Sequence, residues 1–254
     1  MTDILQSAIP YDVTDQRRLP GILPMPPEEW LIRDDAFAGQ MGRRDQLLRD
    51  RHDAVVAMDE SARPAALELL EMVLATAYPD AGEVVERPDG VRVPIDRTDP
   101  MTTLGHLVQE DFCILEKPEG AEEHVLTAAV LCFPASWTLA EKFMQPLIRI
   151  HVPVPEYDAN IAARVQRLFD GVQVGRPIWR FNALWYDDAE LHQPRLEAEK
   201  RPHRRAAAVK FLRSERQSLL RLPESRAVVF SIHTFVMAGA DAPGGAERLA
   251  SVDP

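Results

Sequence analysis

The chain has 254 residues, 46% of them hydrophobic and 27% charged; this is the balance of a folded globular protein with a sizeable core and excludes a wholly disordered chain. Its formal net charge of −11 opposes the phosphates of nucleic acid and of anionic membranes, so neither is an expected partner. Two cysteines, Cys113 and Cys132, are too few for a disulfide framework or a four-cysteine zinc site, and with no apolar block in the first thirty residues they point to a reducing, cytoplasmic setting.

Residues 1–27 read as irregular, because Pro10, Pro20, Pro24, Pro26 and Pro27 interrupt any continuous helix or central strand. Pro26 and Pro27 then open a helical pattern through Trp30, Phe37, Met41 and Leu48, with Glu28 and Glu29 at the favourable end of its dipole. A second helix is predicted over 63–78, with Pro64 in its first turn and Leu67, Leu70, Leu74 and Ala77 on one face.

Strand patterns begin after Pro100. Residues 107–116 read as a strand interrupted by Glu110 and Asp111, and 125–133 as a buried strand ended by Pro134, the two forming a hairpin around Gly120. Thr138-Leu-Ala-Glu141 fits a capping box whose short helix stops before Pro146. Asp158 is placed to cap a further helix with Ile161, Val165, Leu168 and Phe169 on one face and Gly171 as its stop. Residues 177–186 form an aromatic-rich strand pattern, 187–205 a polar loop with a basic stretch at 200–205. Residues 211–220 and 227–236 flank a turn and read as a terminal hairpin, and the tail after Gly239 reads as frayed.

The sum is an α+β chain. An antiparallel sheet of roughly five strands carries helices on one face, inserted between its second and third strands, and an N-terminal helical layer accompanies it. The expected division is residues 1–100 as an irregular and helical segment packed on the core, 101–238 as the core domain and 239–254 as a flexible tail, all in one structural unit.

Phosphate-cradling glycine loops, dinucleotide fingerprints, His-Glu-x-x-His and Gly-x-Ser-x-Gly are all missing, which weighs against nucleotide binding and against common hydrolases. No histidine pair has the helical spacing of a zinc site. His151 stands out in Ile-Arg-Ile-His-Val-Pro-Val-Pro, apolar on both sides. A lone imidazole on such a segment suits an axial ligand to haem iron, which needs one neutral nitrogen; it equally suits a half-buried histidine bonded to backbone. His233 is the competing ligand, and both cysteines read as buried and structural.

Glu110 and Asp111 are candidates to hold a protonated amine, or else lie solvated at a strand edge. Arg213, Arg216 and Gln217 in the terminal hairpin, with Arg180 and Asn182 on the aromatic strand, are candidates to bind carboxylates such as haem propionates; internal ion pairs with Glu215 or Asp111 are the alternative.

A series of blocks along the chain resembles the haem-dependent oxidative N-demethylase family. They are Leu107-Val-Gln-Glu-Asp-Phe112, Leu131-Cys-Phe-Pro-Ala-Ser-Trp137 with Glu141-Lys142, Ile150-His-Val-Pro-Val-Pro155, Arg180-Phe-Asn182, Arg213-Ser-Glu-Arg-Gln-Ser-Leu219, Arg221-Leu-Pro223 and Val229-Phe-Ser-Ile232. They run in the family's order from about residue 20 to residue 236. The resemblance implies a PAS-like fold at 101–238 binding b-type haem, with His151 as the axial ligand and Arg216 and Gln217 near the propionates or the pocket. It implies a monooxygenase subunit that uses O₂ to remove a methyl group from a small amine such as dimethylamine, releasing formaldehyde. Electrons would come from NADPH through separate flavin and iron–sulfur reductase subunits. The expected roles are amine anchoring for Glu110 or Asp111 and exclusion of water by Trp179, Phe181 and Trp185. The alternatives are a non-catalytic PAS-like haem or small-ligand sensor, and a haem-free interaction subunit. Two departures from the family's pattern stand out: Ala183 follows Asn182 where Trp is common, and Phe143-Met144 follows Glu-Lys where Gly is usual.

Overall fold

A computed structural model describes residues 3–15, 21–151, 159–199 and 210–245. The elements in chain order are β1 (Leu23–Pro24), α1 (Phe37–Asp50), α2 (His52–Val55), β2 (Val56–Met58), α3 (Arg63–Ala77), β3 (Val84–Glu86) and β4 (Arg92–Pro94), then α4 (Pro100–Leu107), β5 (Asp111–Glu116) and β6 (Val125–Val130). They continue with α5 (Leu139–Lys142), α6 (Leu147–His151), α7 (Ala159–Gly171), β7 (Ile178–Tyr186), β8 (Phe211–Arg221) and β9 (Val228–Ala238).

The main sheet has seven strands in the order β1-β7-β8-β9-β5-β6-β2, with every pairing antiparallel. The five strands expected from the sequence are its inner five. The short edge strands β1 and β2 were not foreseen, nor was the small β3–β4 hairpin: runs of two or three residues carry no readable alternation. The hairpin β5–β6 and the meander β7–β8–β9 join through β9 and β5, placing Asp111 opposite Ile232.

Alternation on the strands feeds two cores. Phe112 and Ile114 of β5 face a layer built by α1, α3 and α4, with Leu69, Leu70, Leu104 and Leu107 fully buried there. Gly105 of α4 allows this close approach, since a Cβ would lie 2.9 Å from Val130 and 3.0 Å from Leu48. Cys113 and Leu115 face the opposite side, where Leu139, Leu147 and Phe169 of α5–α7, with Val172 just after α7, complete the second core. The N-terminal layer thus covers one face of the sheet and the inserted helices the other.

Several expected boundaries move. The helix opened at Pro26-Pro27 is a single 3-10 turn, Pro27–Glu29, and α1 starts at Phe37. The interruption comes from Asp34, whose side chain accepts from Ala36 N at 3.0 Å while its carbonyl takes Phe37 N. Of the expected 107–116 strand only Asp111–Glu116 is strand: Leu107 ends α4, which is capped by Asp99 on Thr102 N with Pro100 at the first helical position, and residues 108–110 are irregular. Thr138 does not cap through backbone; its hydroxyl donates to Glu141 Oε2 at 2.8 Å. Asp158 and the basic stretch at 200–205 lie outside the described residues. No helix among the described residues is long and apolar enough to cross a membrane.

Candidate functional site

Between the sheet and α5–α7 lies a cavity of about 550 Å³, within the range of small-molecule and cofactor sites. Cys113, Leu115, Leu126, Leu147, Ile150, Phe169, Leu219, Phe230 and Ile232 give it apolar walls. Trp137 adds aromatic surface, and the 187–199 segment contributes Arg195 and Glu197. That segment is fixed against the end of β6 by Ser136 N to Gln193 O at 2.9 Å and Gln193 N to Pro134 O at 3.1 Å.

His151, the last residue of α6, lines this cavity. Its Nδ1 lies 2.7 Å from the Leu147 carbonyl, which can only accept, so the proton sits on Nδ1 and the lone pair on Nε2. Burial lowers its pKa, and the charges of Lys142 and Arg180 add to that, which keeps the ring neutral. The ring is thus bonded to backbone, one of the two expectations for His151, with its proton on Nδ1.

The polar patch of the cavity is two cross-strand pairs. Arg180 of β7 sits opposite Gln217 of β8, and Asn182 opposite Glu215. Glu215 is 7% exposed, and its Oε2 accepts from Asn182 Nδ2 at 3.0 Å and Gln217 Nε2 at 3.1 Å. Arg213 lies 3.6 Å from its other oxygen. Arg180 makes no side-chain hydrogen bond or ion pair among the described residues, and burial lowers its pKa. Arg195 has a buried Nε with no partner in the cavity wall.

The structure brings His151, Arg180, Asn182 and Gln217 to the cavity and leaves Glu110, Asp111, Arg213 and Arg216 outside its lining. Glu110 accepts from Ile32 N at 2.7 Å and pairs with His233 at 3.0 Å. Asp111 holds the buried Arg44 at 2.7 Å and accepts from Cys132 N and Phe133 N. Neither carboxylate is solvated, as a strand edge would leave them: they are 0% and 1% exposed, each consumed by a partner across the N-terminal layer. Arg213 donates to Leu191 O and Phe133 O, sewing the 187–199 segment to the end of β6. Arg216 points to the opposite side of β8, donating to Glu29 O at 2.8 Å and stacking over Trp179 at 5.0 Å. His233 is held on both nitrogens, by Glu110 and Asp34 at 3.0 Å each.

Of the expected pocket aromatics, Trp179 borders the cavity, but its ring stacks with Tyr11, Phe181 and Arg216 on the other side of the sheet, where Phe181 and Trp185 pack with Val13 and Leu212. Cys113 lines the cavity too, but burial drives its thiol pKa up, and burial pushes that of Cys132 up to about 12, so neither offers a thiolate. Glu215, Arg195, Lys142 and Glu197 were missed as cavity residues. Alternation from Gln217 leads to Glu215 two positions earlier; the other three come from short helix and loop, where no period applies.

The model of the family described as haem-dependent oxidative N-demethylase, alpha subunit-like, matches residues 21–251. The chain belongs to this family. The family's name gives haem as the cofactor and oxidative N-demethylation as the general chemistry. The site fits haem on its own chemistry. Haem iron takes four nitrogens from the porphyrin, so one neutral imidazole suffices, and among the described residues no cluster of three His, Cys, Asp or Glu side chains is arranged for a bare metal ion. The macrocycle needs apolar walls, which the cavity has. Its propionates need cations, and Arg180 and Arg195 are the arginines on the cavity wall that would meet them.

Proposed function

We propose that this chain is the haem-bearing subunit of a monooxygenase that demethylates a small methylated amine of the dimethylamine class. The observation that carries the reading is His151: a neutral imidazole, proton fixed on Nδ1 by Leu147, on the wall of an apolar cavity in a member of a haem-dependent family. The inner five strands run in the order second, first, fifth, fourth, third, with helices inserted between the second and third, and this order supports a PAS-like fold.

In this reading His151 would hold the haem iron through Nε2, and Arg180 and Arg195 would pair with the propionates. When bound, haem b would supply the O₂ activation needed to oxidise an N-methyl carbon to formaldehyde and leave the demethylated amine. The residues around it bind and orient the amine. A protonated amine in an apolar cavity needs a buried counter-charge, and Glu215 is the carboxylate placed for it. Asn182 and Gln217 fix the orientation of that carboxylate. This assigns to Glu215 the role that the sequence suggested for Glu110 or Asp111. Trp137 excludes water from the reacting centre. Electrons reach the site from NADPH through a partner reductase with flavin and iron–sulfur centres, in the cytoplasm. A non-catalytic sensor is the weaker reading, because the family is described by an oxidation.

The test is an absorption spectrum of the purified chain before and after dithionite, with a pyridine haemochrome assay. About one b-type haem per chain is expected, and His151→Ala should lose it. A chain that takes up no haem even on reconstitution overturns the reading.

A further inference from the structure

The helix that carries His151 is only five residues long, Leu147–His151, too short to hold itself. Its beginning is tied down by Leu147 N to His124 O at 3.0 Å and by Ile148 N to the Glu123 carboxylate at 2.9 Å. Its end is tied by a buried lysine. Lys142, 3% exposed at the end of α5, donates from Nζ to the Ile150 carbonyl at 2.8 Å, beside His151 in the chain. The same Nζ is paired with the carboxylate of Glu197.

Glu197 reaches in from the 187–199 segment and gathers three tethers. Besides Lys142 it takes both terminal nitrogens of Arg149 at 3.0 Å each, a bidentate pair on α6 itself. Its backbone N–H donates to the Glu141 carboxylate at 3.1 Å, and Glu141 is in turn held by Thr138. The Thr138–Glu141 pair that resembles a capping box in sequence is thus the outer part of this network. The cations of Arg149 and Lys142 draw the Glu197 carboxyl down to about 2, so it stays ionised.

We propose that Glu197 is a positioning residue for the haem ligand: through Lys142 and Arg149 it locks the turn that presents His151, and so sets the strength and uniqueness of the iron–imidazole bond. This rests on His151 being the axial ligand. An uncompensated Lys142 would be a buried charge seeking solvent, and its departure would release the Ile150 carbonyl and the end of α6. Residues that orient a metal-bound histidine without touching the metal characteristically govern affinity in this way.

The test uses the full chain loaded with haem. Glu197→Ala is expected to keep the wild-type far-UV circular dichroism, to lose haem about 10–100-fold faster to a competing apo-globin and to show a mixed-ligand spectrum. Free imidazole should restore the wild-type spectrum, because the iron is what lacks its ligand. Arg149→Ala, on an exposed side chain, should give a smaller change of the same kind and replaces Glu197→Ala if that variant does not fold. Wild-type spectra and haem-loss rates in the variant that folds overturn the proposal, as does a faster loss that imidazole leaves unaltered. His151→Ala is measured alongside: if it keeps the wild-type spectrum, the ligand assignment fails, separately from the role of Glu197.

Discussion

Asn182 Nδ2 donates to Glu215 Oε2 across 3.0 Å between paired strands, and both side chains face the cavity that His151 lines. The contact orients a carboxylate that is almost wholly buried within the polar patch of the cavity. A buried carboxylate costs stability unless partners or a ligand meet it. Asn182, Gln217 and Arg213 meet part of that need, which leaves the oxygens available to a cationic ligand entering the cavity.

Glu215→Gln removes the counter-charge and keeps the shape. Haem content should be unchanged, while the affinity for a methylated amine, read as its perturbation of the haem spectrum, should fall about 10–100-fold, the worth of one charge-assisted hydrogen bond. Glu110→Gln should leave amine affinity near wild type, because Glu110 lies outside the cavity lining and bonds Ile32 and His233 instead. Equal affinity in wild type and Glu215→Gln would move the amine anchor elsewhere.

Asp111 joins three groups: the Arg44 guanidinium, which is 0% exposed and otherwise donates only to the Gly105 and Gln109 carbonyls among the described residues, and the backbone N–H groups of Cys132 and Phe133. Asp111→Ala strands a buried cation and two buried donors. The expected loss is about 3–5 kcal/mol of unfolding free energy, measured by urea titration of the chain. A loss under about 1 kcal/mol would show that water replaces the carboxylate.

The parts of the fold legible in the sequence are those with a period. The hairpin at β5–β6, the long strands β7, β8 and β9 and the helix α3 announce themselves by alternation or by an apolar stripe. His151 drew notice for a different reason, as a lone imidazole in an apolar stretch, and the structure places it on the cavity wall. Glu110 and Asp111 misled because a charged pair in an apolar run reads as either solvated or functional. Their partners, Arg44, His233 and Ile32 N, come from 67, 123 and 78 residues away, a distance at which sequence spacing carries no information. The α4 helix was hidden by strand-like residues, although Asp99-Pro100 held its start signal. The tether at Glu197 joins a loop to two helices of four and five residues, below the length at which any pattern forms.

His233 joins β9 to the N-terminal layer, with Glu110 on Nδ1 and Asp34 on Nε2. Burial alone would drive its pKa down, but the hydrogen bonds and charges of Asp34 and Glu110 outweigh it and raise the pKa to about 9. The folded pKa lies above the unfolded one, so the protonated ring stabilises the fold fully below the ordinary histidine value of 6.5, and this contribution is lost as pH rises through about 9. Denaturation midpoints measured across that window should fall with rising pH in the wild type. In His233→Gln, which has no titrating ring, this part of the slope should vanish; an unaltered slope would assign the titration to another group.

Met144 stands in the turn between α5 and α6 with φ of 59°, in the left-handed region, and its side chain is exposed. Glycine adopts such a conformation without the clash of a Cβ with the carbonyl oxygen. Methionine here holds the turn under strain of about 1 kcal/mol. Met144→Gly relieves it at the cost of a more flexible unfolded chain, and with little side-chain packing to lose the relief should win. The expected result is a small gain in Tm, about 2–4 °C for a chain of this length, seen in a thermal melt with haem content unchanged. A lower Tm would mean that the exposed Met144 side chain contributes more by packing than its backbone costs.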